Sequence, residues 1–138
     1  MAVQVVTAKP DETVQAAIQR MLDAKIGSVA VCDGTRLVGI FTERDVLRLA
    51  GDGADFDALA VGDVMTTRLF VVAPEDDVVS AARLMQEKKI RHLPVVQDGN
   101  LLGILGIREV MRTLVERLWS NHDADARETA RELLRRGA

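Results

Sequence analysis

Shifted by 64 residues, the chain overlays itself. Val5–Gly51 falls on Leu69–Val115 without a gap, and 13 of those 47 pairs are identical. Among them are Pro10/Pro74, Met21/Met85, Lys25/Lys89, Ile26/Ile90, Gly39/Gly103 and Arg44/Arg108. Such an internal repeat constrains the fold more than composition can, because one supersecondary unit must be built twice from the same pattern. The matches keep helical spacing early in the unit and strand spacing later.

Each unit reads alike. A short apolar strand (Val3–Thr7; Leu69–Val72) meets a proline and acids (Pro10-Asp11-Glu12; Pro74-Glu75-Asp76-Asp77) that suit a helix start. Val14, Ala17, Ile18, Met21 and Leu22 then form one helical face, repeated by Val78, Ala81, Ala82 and Met85. Two apolar runs flank a turn in each unit: Ser28–Cys32 and Leu37–Phe41 around Asp33-Gly34, and His92–Val96 and Leu101–Leu105 around Asp98-Gly99. These predict hairpins. Second helices are expected from about Glu43 to Ala50 and from about Arg108 to Leu118. The fold class is α+β, with strand–helix–strand–strand–helix built twice. Repeat 1 spans 1–51, a Gly- and Asp-rich connector 52–68, repeat 2 spans 69–119, and a charged tail 120–138 breaks near Ser120–Asp123 before a polar helix over Ala124–Arg136.

Composition narrows the function. Apolar residues are 48%, charged residues 28%, and mean hydropathy is +0.07, values of a globular chain. No apolar run approaches the roughly 18 to 20 residues of a membrane span. No secretory start is visible over Met1–Pro10, so a cytoplasmic location is expected. The single cysteine, Cys32, excludes an internal disulfide and a cysteine-built zinc site, and no metal site is expected. The acids of the connector lack the spacing of a calcium loop. Net charge is −3 and the aromatics are Phe41, Phe56, Phe70 and Trp119. With neither a basic stripe nor a stacking platform, no nucleic-acid partner is expected.

Two segments carry chemistry. In Gly39-Ile40-Phe41-Thr42-Glu43-Arg44-Asp45 a threonine opens a helix and an acid follows three residues later. A capping box is the simpler reading of that spacing. The sharper one is a nucleotide seat, in which helix N–H groups and the hydroxyl face phosphate and the carboxylate accepts from ribose hydroxyls. The second segment is Lys88-Lys89-Ile90-Arg91-His92-Leu93-Pro94-Val95-Val96. Its lysines read as a solvated helix end. Arg91 and His92 open an apolar strand beside Pro94 and are less easily dismissed.

The duplicated unit, G-h-x-T-x-x-D after its last strand, and I-R-H-L-P-V-V in repeat 2 together resemble the CBS-domain pair, or Bateman module. The resemblance covers about Val3 to Glu116, and Val61-Gly62-Asp63-Val64-Met65-Thr66 resembles the lead-in of a second CBS repeat. The lead-in matching it is missing before Met1, which suggests a shortened start. The resemblance implies two repeats packed about a pseudo-two-fold axis, with adenosyl ligands (AMP, ADP, ATP, sometimes S-adenosylmethionine) in two clefts between them. In the first cleft it assigns Asp45 to ribose and Thr42 to the phosphate side, with Arg44 beside them. It assigns Ile40, Leu69, Phe70 and Pro94 to the base, and Arg91 and His92 to phosphate from the opposite repeat.

The second cleft, with Val6, Ser28, Ile104, Arg108 and Glu109, departs from the pattern. Gly106 replaces the hydroxyl and Glu109 the acid, while Gly27 and Ser28 stand opposite with no phosphate-facing cation, a loss for which Arg108 is expected to compensate in part. A weak, empty or altered site is expected there. The leading expectation is a non-catalytic module that binds an adenine nucleotide as a regulatory ligand, requires no cofactor, pairs into a homodimer and signals to an unidentified protein partner. The alternative is a dimerisation or interaction module that needs no ligand. Catalysis has the least support, because no nucleophile–base pair is evident.

Overall fold

The structure, a computed structural model, describes residues 6–120 and 124–136. Repeat 1 contributes β1 (Thr7–Ala8), α1 (Val14–Ala24), β2 (Ser28–Asp33), β3 (Arg36–Thr42) and α2 (Glu43–Gly51). A short helix α3 (Val61–Val64) lies in the connector. Repeat 2 contributes α4 (Val78–Lys88), β4 (His92–Gln97), β5 (Asn100–Gly106) and α5 (Ile107–Ser120), and the tail forms α6 (Ala124–Arg136). Most of the strand expected over Val3–Thr7 and of the break at Ser120–Asp123 lies outside the described residues. No helix among the described residues is long and apolar enough to cross a membrane.

The duplication extends to the backbone. Thr13 caps α1 by accepting from the Ala16 N–H at 3.1 Å, and Asp77 caps α4 by accepting from Ser80 at 2.8 Å. Both helices therefore start a turn later than the prolines suggest. Both end on a left-handed lysine, Lys25 (φ 56°) and Lys89 (φ 55°). The next amides, Ile26 and Ile90, each donate to the carbonyl of Met21 or Met85 at 3.0 Å, closing the helix end. Both hairpins also shift register at one matching step, Val31/Cys32 and Val95/Val96.

Five strands form one sheet in the order β1-β2-β3-β5-β4. β3 meets β5 antiparallel at Arg36 and Asn100, where the two hairpin turns touch. Leu101 N–H donates to Thr35 O at 2.9 Å and Leu37 N–H to Gly99 O at 3.1 Å. The second turn is Asp98-Gly99, both with positive φ, as a type I′ turn requires. In the first hairpin Asp33 ends the strand and the turn moves to Gly34-Thr35, where only Gly34 has positive φ (62°).

The strand expected over Leu69–Val72 is reduced to a single parallel bridge, Val72 with Val95. Val72 donates to Pro94 O at 3.0 Å and Val96 donates back to Val72 O at 2.9 Å. One rung upstream the bond would need an N–H from residue 94, and proline has none. At the matching place repeat 1 has Ala30, and there β1 pairs over two residues.

Each repeat owns a core. Val14, Ala17, Met21, Val29, Val31, Phe41 and Leu49 are buried in the first, and Val78, Ala81, Met85, Leu93, Leu105 and Val110 in the second. The connector packs on the first core, with Val61 buried and Phe56, Leu59, Val64 and Met65 against it. Its carbonyls also take the free first-turn amides of α1: Val14 donates to Leu59 O at 2.9 Å and Gln15 to Phe56 O at 3.0 Å.

Candidate functional site

Two clefts open between the repeats. The first has a volume of about 490 Å³ and is lined by all nine residues expected of it: Ile40, Thr42, Arg44, Asp45, Leu69, Phe70, Arg91, His92 and Pro94. The second, about 350 Å³, is lined by Val6, Ser28, Ile104, Arg108 and Glu109 together with Gly27 and Gly106. Gly27, Glu43, Arg91 and His92 face both clefts and form the wall between them.

Local structure explains the placement. The first amide of α2, Glu43 N–H, donates to Gly27 O at 3.0 Å. Its counterpart in α5, Ile107 N–H, donates to Arg91 O at 2.8 Å. Each second helix thus starts against the loop that precedes the first hairpin strand of its own repeat. Thr42 is the N-cap of α2 and forms a full capping box with Asp45. Thr42 N–H and hydroxyl donate to Asp45 Oδ2 at 2.9 and 3.1 Å, and Asp45 N–H donates to Thr42 Oγ1 at 3.4 Å. Asp45 is 3% exposed, a buried carboxylate at the edge of a cleft.

Thr66 also donates to this carboxylate, at 3.2 Å to Oδ1, and Arg48 lies 3.4 Å from the same oxygen. Reciprocal backbone bonds between Ile40 and Thr66, at 3.0 and 2.9 Å, fix the threonine there. Sequence reasoning quoted Thr66 in the lead-in but assigned it no role. It also missed Arg68 and Lys89, which line the first cleft. Lys89 is exposed at the C-terminal end of α4, as the solvated-end reading expects, and also lines the first cleft. Lys88 lies over the Phe70 ring, 5.1 Å from the centroid. The lining of the cleft thus combines Arg44, Arg68, Lys89 and Arg91 with Glu43 and Asp45, and Ile40, Leu69, Phe70, Ile90 and Pro94 supply apolar surface.

His92 is half-buried in the dividing wall. Burial pushes its imidazole below the usual range, Glu43 and Glu109 draw it back up, and Arg91 pushes it further down. The residues opposite are Gly27 and Ser28, as expected, but Lys25 and Arg91 line the second cleft together with Arg108, so cations do face it. What it lacks is a hydroxyl at the start of its second helix, where Gly106 stands in place of Thr42. Gly106 N–H donates to Glu109 Oε2 at 3.1 Å, so the longer acid caps α5 without a threonine. Cys32 lies buried within β2, and burial pushes its thiol up, away from the reactive thiolate.

Known proteins share this architecture. The family model described as "CBS domain" matches residues 1–52 and 61–116. The Arabidopsis thaliana "CBS domain-containing protein CBSX3, mitochondrial" is 37% identical over 111 residues, 76% of this chain and 54% of that protein. The chain therefore spans about half the length of that relative. Similar solved structures include CBSX2 in complex with AMP, with TM-score 0.72 and 32% identity over 81% of this chain and 88% of that one. The CBS domain protein PAE2072 from Pyrobaculum aerophilum, complexed with AMP, has TM-score 0.74 and 26% identity over 79% of this chain and 85% of that one. The two matched segments contain the two halves of the internal repeat, the second starting within the connector, and the chain belongs to the CBS-domain family as a pair of such domains.

Proposed function

We propose that this chain is a non-catalytic regulatory module that binds an adenine nucleotide, of the AMP, ADP or ATP class, in the first cleft. The observation that carries the reading is Asp45, a buried carboxylate lining a cleft whose other lining residues include both apolar side chains and the cations Arg44, Arg68, Lys89 and Arg91. A carboxylate can accept from two ribose hydroxyls, the apolar residues suit a base, and Arg91, Arg44 and Lys89 suit phosphate. The AMP complexes of two similar structures support the same ligand class. Binding across the repeats would shift their packing, with coupling of about 1–3 kcal/mol to whatever partner responds.

Titration calorimetry and thermal melting with AMP and ATP test this. A ligand at 100 times its Kd adds about 2.7 kcal/mol of stability, a readily measured rise in melting temperature. No heat and no shift with AMP, ADP or ATP at millimolar concentration would overturn it. A second reading, a ligand-independent interaction module, draws on Leu47, Met111, Val115 and Trp119, apolar residues exposed on α2 and α5. It predicts unchanged melting with every nucleotide and an unchanged oligomeric state when Asp45 is replaced.

A further inference from the structure

The two outer edges of the sheet are built alike and finished differently. At the repeat 1 edge, Arg20 of α1 reaches across to β1. Its Nη1 donates to Thr7 O at 2.8 Å and to Glu12 Oε1 at 2.8 Å, and its Nη2 pairs with Glu12 Oε2. Glu12 also accepts from the Lys9 N–H at 2.8 Å. A guanidinium thus closes the gap between edge strand and helix. At the repeat 2 edge, 64 residues on, Val71 stands for Thr7, Asp76 for Glu12 and Leu84 for Arg20. The turn is kept: Asp76 Oδ2 accepts from the Ala73 N–H at 2.8 Å, and Asp76 N–H donates to Ala73 O at 3.1 Å, as Glu12 N–H does to Lys9 O. Val72 turns both its N–H and its C=O to β4, so the Val71 carbonyl, one residue back, points away from that strand. Among the described residues no group donates to Val71 O or to Asp76 Oδ1. Where Arg20 lies in repeat 1, repeat 2 has a groove of about 290 Å³, lined by Val71, Val72, Asp76, Arg83, Leu84 and Glu87 among others.

We propose that this groove docks an arginine side chain of a partner protein, held by the Val71 carbonyl and the Asp76 carboxylate as Thr7 and Glu12 hold Arg20. The planar fork of a guanidinium suits a carboxylate beside a carbonyl, and its charge strengthens both bonds. Val71 and Leu84 offer apolar surface to the arginine stem. Charge favours the same occupant, because Asp76 and Glu87 outnumber Arg83 in the groove. Arg83 is not the internal counterpart of Arg20. It matches Gln19, which donates to Asp23 at 2.9 Å, and Asp23 is the counterpart of Glu87. The inference is independent of the nucleotide reading, since the groove shares no lining residue with either cleft.

The probe is a capped pentapeptide, acetyl-Gly-Val-Arg-Val-Gly-amide, titrated into the full chain and followed through the amide NMR signals of Val71, Ala73 and Leu84. A second peptide carries citrulline, the uncharged isostere, in place of arginine. Saturable shifts are expected with the arginine peptide, and roughly tenfold weaker binding or less with the citrulline peptide. Leu84→Arg supplies the guanidinium from within, as repeat 1 does, and should abolish binding. Asp76→Asn keeps an acceptor for the Ala73 amide and lies at an exposed position, so it should weaken the arginine peptide roughly tenfold with an unchanged melting temperature. No saturable shift at millimolar peptide, equal binding of the two peptides, or full binding by Asp76→Asn overturns the proposal. So does a fall in sedimenting mass on Asp76→Asn, which would assign the groove to a second copy of the chain.

Discussion

The Asp45 carboxylate accepts from the Thr42 amide and from the Thr66 hydroxyl while it faces the first cleft. Cap and candidate ribose acceptor, which the T-x-x-D spacing presents as rivals, are compatible on one side chain. Asp45→Ala should then do two things at once. It should cost about 1–3 kcal/mol of stability in denaturant melts, and weaken AMP and adenosine alike, by roughly 10- to 150-fold in calorimetry. Arg91→Ala should weaken AMP while sparing adenosine, because its charge is assigned to phosphate. Unchanged AMP affinity in Asp45→Ala would leave only the cap. His92 gives a pH signature. Its folded pKa lies below the unfolded value near 6.5, so the unfolded chain binds more protons in that interval. Stability is therefore full above about pH 6.5 and falls as the pH drops through the folded pKa. Melting temperature followed from pH 7 to 5 should decline less in His92→Asn than in the parent. The groups facing the imidazole are Glu43, Glu109 and Arg91. A phosphate beside it would raise its pKa, so AMP binding near pH 6 should take up protons, read as a binding enthalpy that varies with the buffer's ionisation enthalpy.

Helices α1 and α4 end on Lys25 and Lys89 in the left-handed conformation, where a side chain costs about 1 kcal/mol relative to glycine. Lys25→Gly should raise stability by about 0.5–1 kcal/mol and leave AMP binding to the first cleft unchanged, as melting and calorimetry can check. Lys89→Gly should stabilise similarly but weaken AMP several-fold, because Lys89 also lines the first cleft. A lysine retained twice in a strained place was visible in the repeat as Lys25/Lys89, but nothing in the sequence showed that only the second faces the first cleft. Strand extents were similarly half-legible. The hairpins follow from apolar runs and turn residues, whereas the loss of a strand over Leu69–Val72 depends on which rung of the ladder Pro94 occupies.

At the scale of the whole molecule, the exposed apolar residues Leu47 of α2 and Met111 of α5 occupy matching positions of the two repeats. Val115 and Trp119 extend the second stripe. Exposed apolar surface gathered on two equivalent helices predicts self-association through both. Sedimentation should give twice the 15.1 kDa of the chain, and Met111→Glu with Trp119→Lys should shift it toward the single-chain mass while the fold persists. A concentration-independent mass of 15.1 kDa for the parent would refute this pairing.

The repeat, the two hairpins with the helices that flank them, and the tail helix were determined by the sequence alone, because they rest on local periodicity and on turn and cap chemistry repeated at a fixed interval. So was the membership of each cleft's expected lining, through the resemblance to the CBS-domain pair. Tertiary structure alone decided what lies between the repeats. The sequence does not record that Gly27, Glu43, Arg91 and His92 form one wall shared by two clefts, since those residues come from both repeats and meet only across the pseudo-symmetric interface. Nor does it record that Thr66 reaches Asp45, a contact made by a backbone bridge between the connector and β3.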